Sequence, residues 1–146
     1  MKARDVMTSP VIVLRPDTPA REAAALLCAH GFTAVPVVDG RRRIVGMATE
    51  ADLVRFRIPP DGWVVDEYAD PAVEAVMTPD PVVRGPEDDL ADVVAVMLDT
   101  ATTSVPIVED GRLVGIVSRR DVLRAVARHE LTSEDVLHRR SVQPGG

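Results

Sequence analysis

Two stretches of this chain repeat one another block by block, and a chain that reads twice folds as two copies of one unit. Val6-Met7-Thr8 returns as Val76-Met77-Thr78, and Pro10-Val11 returns as Pro81-Val82 after a one-residue insertion. Ala34-Val35-Pro36-Val37-Val38 returns as Ser104-Val105-Pro106-Ile107-Val108. The block from Ile44 to Asp52 (IVGMATEAD) returns from Leu113 to Asp121 (LVGIVSRRD). One such block could arise by chance between apolar segments. Several blocks in the same order and spacing point to a duplicated fold.

Within each copy the periodicities change in the same order. A β-rich run, Val11 to Leu14, precedes Pro16 and then Thr18-Pro19, where threonine suits a helix N-cap and proline the first turn. In the second copy Leu90, Val93, Val94, Met97 and Leu98 follow helical spacing, matched by Ala20, Ala23, Ala24, Leu27 and Cys28 in the first. Gly31 is a helix stop, and the second helix should end near Thr100 to Thr102. Two β-rich runs follow, 34–38 and 43–48, joined by Asp39-Gly40. Their counterparts, 104–108 and 112–117, are joined by Asp110-Gly111, and Asp-Gly between strands is a hairpin signal. A last helix opens at Thr49 or Ser118. The fold class is therefore α+β, with two β-α-β-β-α repeats over residues 1–57 and 74–130. A linker at 58–73 carries Trp63 and Tyr68, which are expected to cover the module's own core or to meet a ligand or partner. Residues 131–146 read as a short helix capped by Thr132 and a fraying tail.

Composition narrows the function classes. A net charge of −6 supplies no field for phosphate backbones, so no nucleic-acid partner is expected. The single cysteine, Cys28, can form no internal disulfide, which fits a reducing cytoplasmic setting. No apolar run approaches the roughly 20 residues that span a bilayer, so no membrane association is expected. His30, His129 and His138 are scattered without metal-ligand spacing, so no metal site is expected. Ser104 and Ser118 lack a nucleophile-elbow setting, and Lys2, the only lysine, lies in no P-loop pattern. No catalytic residue is assigned. Met7, Met77 and Met97 read as core or dimer-contact residues.

Thr49-Glu50-Ala51-Asp52 and Ser118-Arg119-Arg120-Asp121 stand at helix starts, where unpaired N–H groups and the positive end of the dipole favour an anion. A hydroxyl can donate to a phosphate oxygen, and a carboxylate three residues on can accept from both hydroxyls of a ribose. The same spacing is also a capping box, and the two roles are compatible because a cap can exchange partners. Arg119 and Arg120 add two guanidinium groups in the second copy, where the first has Glu50. The second site is therefore expected to hold a phosphorylated ligand more tightly. Arg41-Arg42-Arg43 is a basic turn that reads as solvated, or as an aid in holding a polyphosphate.

The opening Val-Met-Thr, the Val-Pro-Val-Val segment and the Gly-apolar-apolar-Thr/Ser-x-x-Asp segment, duplicated in order over residues 4 to 129, resemble a tandem cystathionine-beta-synthase (CBS) domain pair, or Bateman module. The resemblance implies two repeats packed with pseudo-twofold symmetry into one module, and an adenine nucleotide (AMP, ADP or ATP) as regulatory ligand in the cleft between the repeats. S-adenosylmethionine or a dinucleotide is the alternative ligand. It assigns Asp52 and Asp121 to ribose, Thr49 and Ser118 to phosphate, and the apolar backbone at Val35-Pro36 and Val105-Pro106, with Val11 and Val82 nearby, to adenine. It also implies pairing into a homodimer and an effector protein encoded separately. The competing reading is a ligand-free dimerisation scaffold with degenerate clefts.

Overall fold

The computed structural model describes residues 1–55, 70–129 and 131–142. Trp63 and Tyr68, with most of the expected linker, lie outside the described residues, as do the last four residues of the tail. Along the chain the elements are α1 (Ala3–Val6), α2 (Ala20–His30), β1 (Ala34–Val38), β2 (Ile44–Thr49), α3 (Glu50–Arg55), a 3-10 turn (Val73–Ala75), β3 (Thr78–Pro79), α4 (Leu90–Thr100), β4 (Ser104–Glu109), β5 (Arg112–Ser118), α5 (Arg119–Ala127) and α6 (Ser133–Val142). They condense into two compact units, one of Ile12–Pro81 and the other of Met1–Val11 with the chain from Val82 onward. Each unit thus holds the helix-strand-strand-helix body of one repeat and the opening Val-Met-Thr segment of the other.

The backbone bonds that dock these opening segments recur at a fixed offset of 70 residues. In the first unit Ala20 N–H donates to Pro71 O (2.8 Å), Val73 N–H to Thr18 O (2.7 Å) and Glu74 N–H to Pro16 O (3.1 Å). In the second, Leu90 N–H donates to Met1 O (2.8 Å), Ala3 N–H to Asp88 O (2.8 Å) and Arg4 N–H to Pro86 O (3.0 Å). Satisfying a helix start with carbonyls from a distant segment removes orphan donors that a side-chain cap would otherwise serve.

That arrangement corrects the expected cap at Thr18. The N-cap of α2 is Pro19, without a side-chain hydrogen bond. The Thr18 hydroxyl accepts instead from Arg15 N–H at 3.1 Å, and Asp70 accepts from Arg21 N–H at 3.0 Å. In the second copy Asp89 caps α4 directly, accepting from Ala91 N–H at 2.9 Å. The run Val11 to Leu14 forms no full strand. Leu14 alone bridges Val37 in parallel, as Arg84 bridges Ile107 in the other copy, and the nearby Pro16 offers no donor to extend the ladder.

The hairpins form where the Asp-Gly pairs stand: β1 pairs with β2 and β4 with β5, all antiparallel, and β3 adds to β2. Asp110 (φ 51) and Gly111 (φ 77) take the left-handed backbone of a primed two-residue turn. The first turn is one residue longer, which drops the offset between copies from 70 to 69 beyond it. Its left-handed residue is Arg42 (φ 64), and Asp39 Oδ1 accepts from Arg41 N–H at 2.8 Å and Arg43 N–H at 3.0 Å. Those two backbone donors, Arg43 foremost, hold the Asp39 carboxyl below its ordinary range.

Helix ends fall as the sequence indicates, with Gly31 (φ 67) closing α2 and Ala101 (φ 53) closing α4 after Thr100. Ala20, Ala23 and Leu27 are buried in one core and Leu90, Val93, Val94 and Met97 in the other. Cys28 and Leu98, assigned to those apolar faces, are exposed in both copies. Each stands about 100° around the helix from its buried predecessor, off the stripe. Helix α6 packs on α4, bringing Leu131 and Val136 into the second core, and Thr132 caps it by accepting from Asp135 N–H at 3.3 Å. Among the described residues no helix is long and apolar enough to cross a membrane.

Candidate functional site

Each unit presents a carboxylate at the start of the helix that follows its hairpin. In the second unit Ser118 is the N-cap of α5, extended at φ −98 and ψ 166. Its N–H donates to Asp121 Oδ2 at 2.9 Å, and Asp121 N–H donates back to Ser118 Oγ at 3.3 Å. The capping box that the spacing allowed is therefore formed. The Ser118 hydroxyl also donates to Asp121 Oδ2 at 3.0 Å, Arg124 Nη1 lies 3.4 Å from Oδ1, and the Thr8 hydroxyl donates to the same carboxylate at 3.4 and 3.5 Å.

The first unit repeats the plan with different weights. Thr49 N–H donates to Asp52 Oδ2 at 3.1 Å, and Asp52 N–H donates to Thr49 Oγ1 at 3.1 Å. The Thr78 hydroxyl reaches the Asp52 oxygens at 3.1 and 3.0 Å, and Arg55 stands 3.9 Å away. Asp52 is 5% exposed and Asp121 4%, and they are the buried charged residues of the described chain. A carboxylate removed from water to this degree persists only with donors around it, and both have them.

Thr8 and Thr78 were not among the residues singled out for the site, nor were Arg55 and Arg124. Both pairs repeat between the copies, and that recurrence of a hydroxyl in Val-Met-Thr and of Asp-x-x-Arg is the available signal. What the sequence hides is the exchange: Thr8 of the first repeat serves Asp121 of the second, and Thr78 serves Asp52. Two glycines allow the approach. A Cβ on Gly46 would overlap the Met77 side chain and lie 2.9 Å from Thr78 O, and one on Gly115 would overlap Met7.

The other nominated residues fall into two groups. Arg119 and Arg120 are exposed in the first turn of α5, and Glu50 is exposed at the matching place in α3. The helix-start amides are less open than the sequence suggested, because Arg119 N–H donates to Thr103 O and Glu50 N–H to Thr33 O, both at 3.0 Å. The exposed donors at the start of α5 are therefore the guanidinium groups. Val35, Pro36, Val105 and Pro106 are fully buried, the two valines within the cores. The carbonyls of Pro36 and Pro106 accept from Leu14 N–H (2.9 Å) and Arg84 N–H (3.1 Å). Val11 is half-buried and Val82 is 44% exposed, leaving Val82 the most accessible apolar side chain of that set. Among the described residues no three His, Cys, Asp or Glu side chains gather as a metal site.

A duplicated strand-and-helix unit, with a capped carboxylate buried at each second-helix start, defines a tandem-repeat class of α+β module. The sequence profile of the CBS domain matches residues 3–58 and again 73–128, and the chain belongs to the CBS domain family as a CBS pair. It is 34% identical over 128 residues to an uncharacterized 17.7 kDa protein of Acidianus ambivalens, covering 86% of this chain and 73% of that one. It spans between 14% and 61% of the length of the next curated proteins it matches. Among solved structures, CBSX2 of Arabidopsis thaliana in complex with AMP superposes with a TM-score of 0.77 at 28% identity, over 89% of this chain and 98% of that one. The CBS domain pair of protein MJ0100, in complex with 5′-methylthioadenosine and S-adenosyl-L-methionine, superposes at 0.76 with 24% identity, over 88% and 98%, and shares the fold.

Proposed function

We propose that this CBS pair is a regulatory module that binds an adenine nucleotide and catalyses nothing, with the site beside α5 the stronger of the two. The observation that carries the reading is the cluster of Asp121, buried and ringed by donors, with Arg119 and Arg120 exposed in the same first turn of α5, in a fold superposable on CBSX2 with AMP. A ribose diol would take the Asp121 oxygens, and the guanidinium pair would take the phosphate, where charge-assisted and bidentate bonds are strong. At Asp52 the neighbouring Glu50 repels phosphate, which favours a ligand of lower charge there. Both carboxylates already serve as capping-box acceptors, an acceptor role that a ligand's hydroxyls can share.

The test is a melting panel with AMP, ADP, ATP, NAD and S-adenosylmethionine. A ligand at about 100 times its Kd should stabilise the fold by roughly 2.7 kcal/mol. Arg119→Gln with Arg120→Gln should abolish the AMP response while leaving the melting temperature of the free protein in place, since both side chains are exposed. A response to none of the five would leave the second reading, a ligand-free dimerisation scaffold. That reading is favoured by Leu123 and Val126, 67% and 46% exposed on α5, which offer an apolar stripe to a second copy. Cytoplasmic residence and an effector protein complete the proposal, with sedimentation deciding the homodimer.

A further inference from the structure

Resting on the nucleotide reading of Asp121, we propose that the Thr8 hydroxyl occupies a position the ligand needs, so that a ribose diol and the docked Met1–Val11 segment compete for one carboxylate. An ionised carboxylate has about four lone-pair sites. Asp121 accepts from Ser118 N–H (2.9 Å), Ser118 Oγ (3.0 Å), Arg124 Nη1 (3.4 Å) and Thr8 Oγ1 (3.4 and 3.5 Å), so its capacity is filled by its own unit. A diol donates two hydrogen bonds and must displace two of these.

The Ser118 N–H bond belongs to the helix start and is the shortest. The bonds to Arg124 and Thr8 are the longest, and both side chains reach water when released, Arg124 being 59% exposed and Thr8 exposed. They are the cheapest to lose. Arg124 is merely a neighbour on the same helix. Thr8 is the end of a docked segment: its N–H donates to Ile116 O at 2.8 Å, its carbonyl accepts from Ile116 N–H at 3.2 Å, and Met7 lies against Gly115. Taking the hydroxyl from Asp121 removes the side-chain tie at the Thr8 end of that segment and leaves the two-bond bridge to Ile116 to hold that end. Coupling between sites is reciprocal, so whatever the segment costs the ligand, the ligand costs the segment.

The experiment uses the full chain with AMP and adenosine as probes. Thr8→Val keeps the side-chain shape and removes the donor. It should tighten both probes about threefold to tenfold, the equivalent of one ordinary hydrogen bond, and Thr8→Ser should restore the original affinity. In the unsubstituted protein, saturating AMP should speed amide hydrogen exchange at Thr8 and Ile116, the reverse of the protection a ligand usually confers. Weaker binding by Thr8→Val would make Thr8 a positioning residue for the carboxylate and overturn the competition; unchanged affinity would overturn it equally. If the unsubstituted protein binds neither probe, the nucleotide reading falls and the competition with it. Exchange at Ile116 in ligand-free Thr8→Val and Thr8→Ser then still decides whether the hydroxyl clasps the segment.

Discussion

The two units solve one folding problem with unequal means. At positions related by the offset of 70, α2 begins with Ala20 and α4 with Leu90, both fully buried. Helix α2 buries Ala20, Ala23 and Leu27, whereas α4 buries seven residues, and α6 packs on it with Val136 in the same core. A repeat fixes where a helix runs, while the neighbours it acquires fix how much of its surface must be apolar. Among the described residues the second unit has the larger buried core, and it also carries the site with two guanidinium groups.

The largest expected effect follows from that packing. Leu90→Ala should destabilise the protein by about 3 kcal/mol in urea or thermal unfolding, as large-to-small core changes do. The reciprocal Ala20→Leu should cost about 1–3 kcal/mol through overpacking of a helix start that closes on an alanine. A loss under about 1 kcal/mol for Leu90→Ala would erase the contrast between the units. The next effect concerns the glycines beneath the exchanged segments. At Gly46 an added Cβ meets both the Met77 side chain and the Thr78 carbonyl, but at Gly115 the nearest atoms it meets belong to the Met7 side chain, whose end can move. Gly46→Ala should therefore cost about 2 kcal/mol and Gly115→Ala about 1 kcal/mol, and melting of the two single variants checks the order.

The smallest effect is electrostatic and confined to the second unit. Glu87 pairs with Lys2 Nζ at 2.6 Å and Arg4 Nη1 at 2.8 Å, whereas the matching places in the first unit hold Asp17, Ala72 and Glu74 and can form no such pair. The bond from Lys2, aided by Arg4, holds the Glu87 carboxyl below its ordinary value of 4.5. A depressed carboxyl stabilises above that ordinary value and loses its contribution as pH falls through the lowered one. Amide exchange at Ala3 and Arg4 should thus accelerate below about pH 4.5 more than at Val73 and Glu74. The difference should vanish in Glu87→Gln and shrink with added salt, since the pair is exposed.

Much of this was legible in the chain. The duplicated blocks gave the two copies, the Asp-Gly pairs gave both hairpins, and Gly31 and Thr100 marked the helix ends. The capping-box spacing at Thr49-Asp52 and Ser118-Asp121 produced the local geometry it encodes. Those features depend on residues within a few positions of one another, where backbone preference and side-chain reach suffice. Thr18 is no cap because the N-cap of α2 falls one residue later, at Pro19, and the distant Asp70 takes the Arg21 N–H that a local cap would serve.

By itself the sequence determined both hairpins, the helices that flank them, their order and the polar groups at the starts of α3 and α5, because hydrophobic periodicity and turn chemistry are local. Tertiary structure decided that the repeats exchange their opening segments. Only that exchange brings Thr8 to Asp121 and Thr78 to Asp52, since neither threonine lies near its aspartate along the chain. The physical reason is that a buried carboxylate must collect donors from whatever packs above it, and what packs above it is set by long-range docking of backbone against backbone.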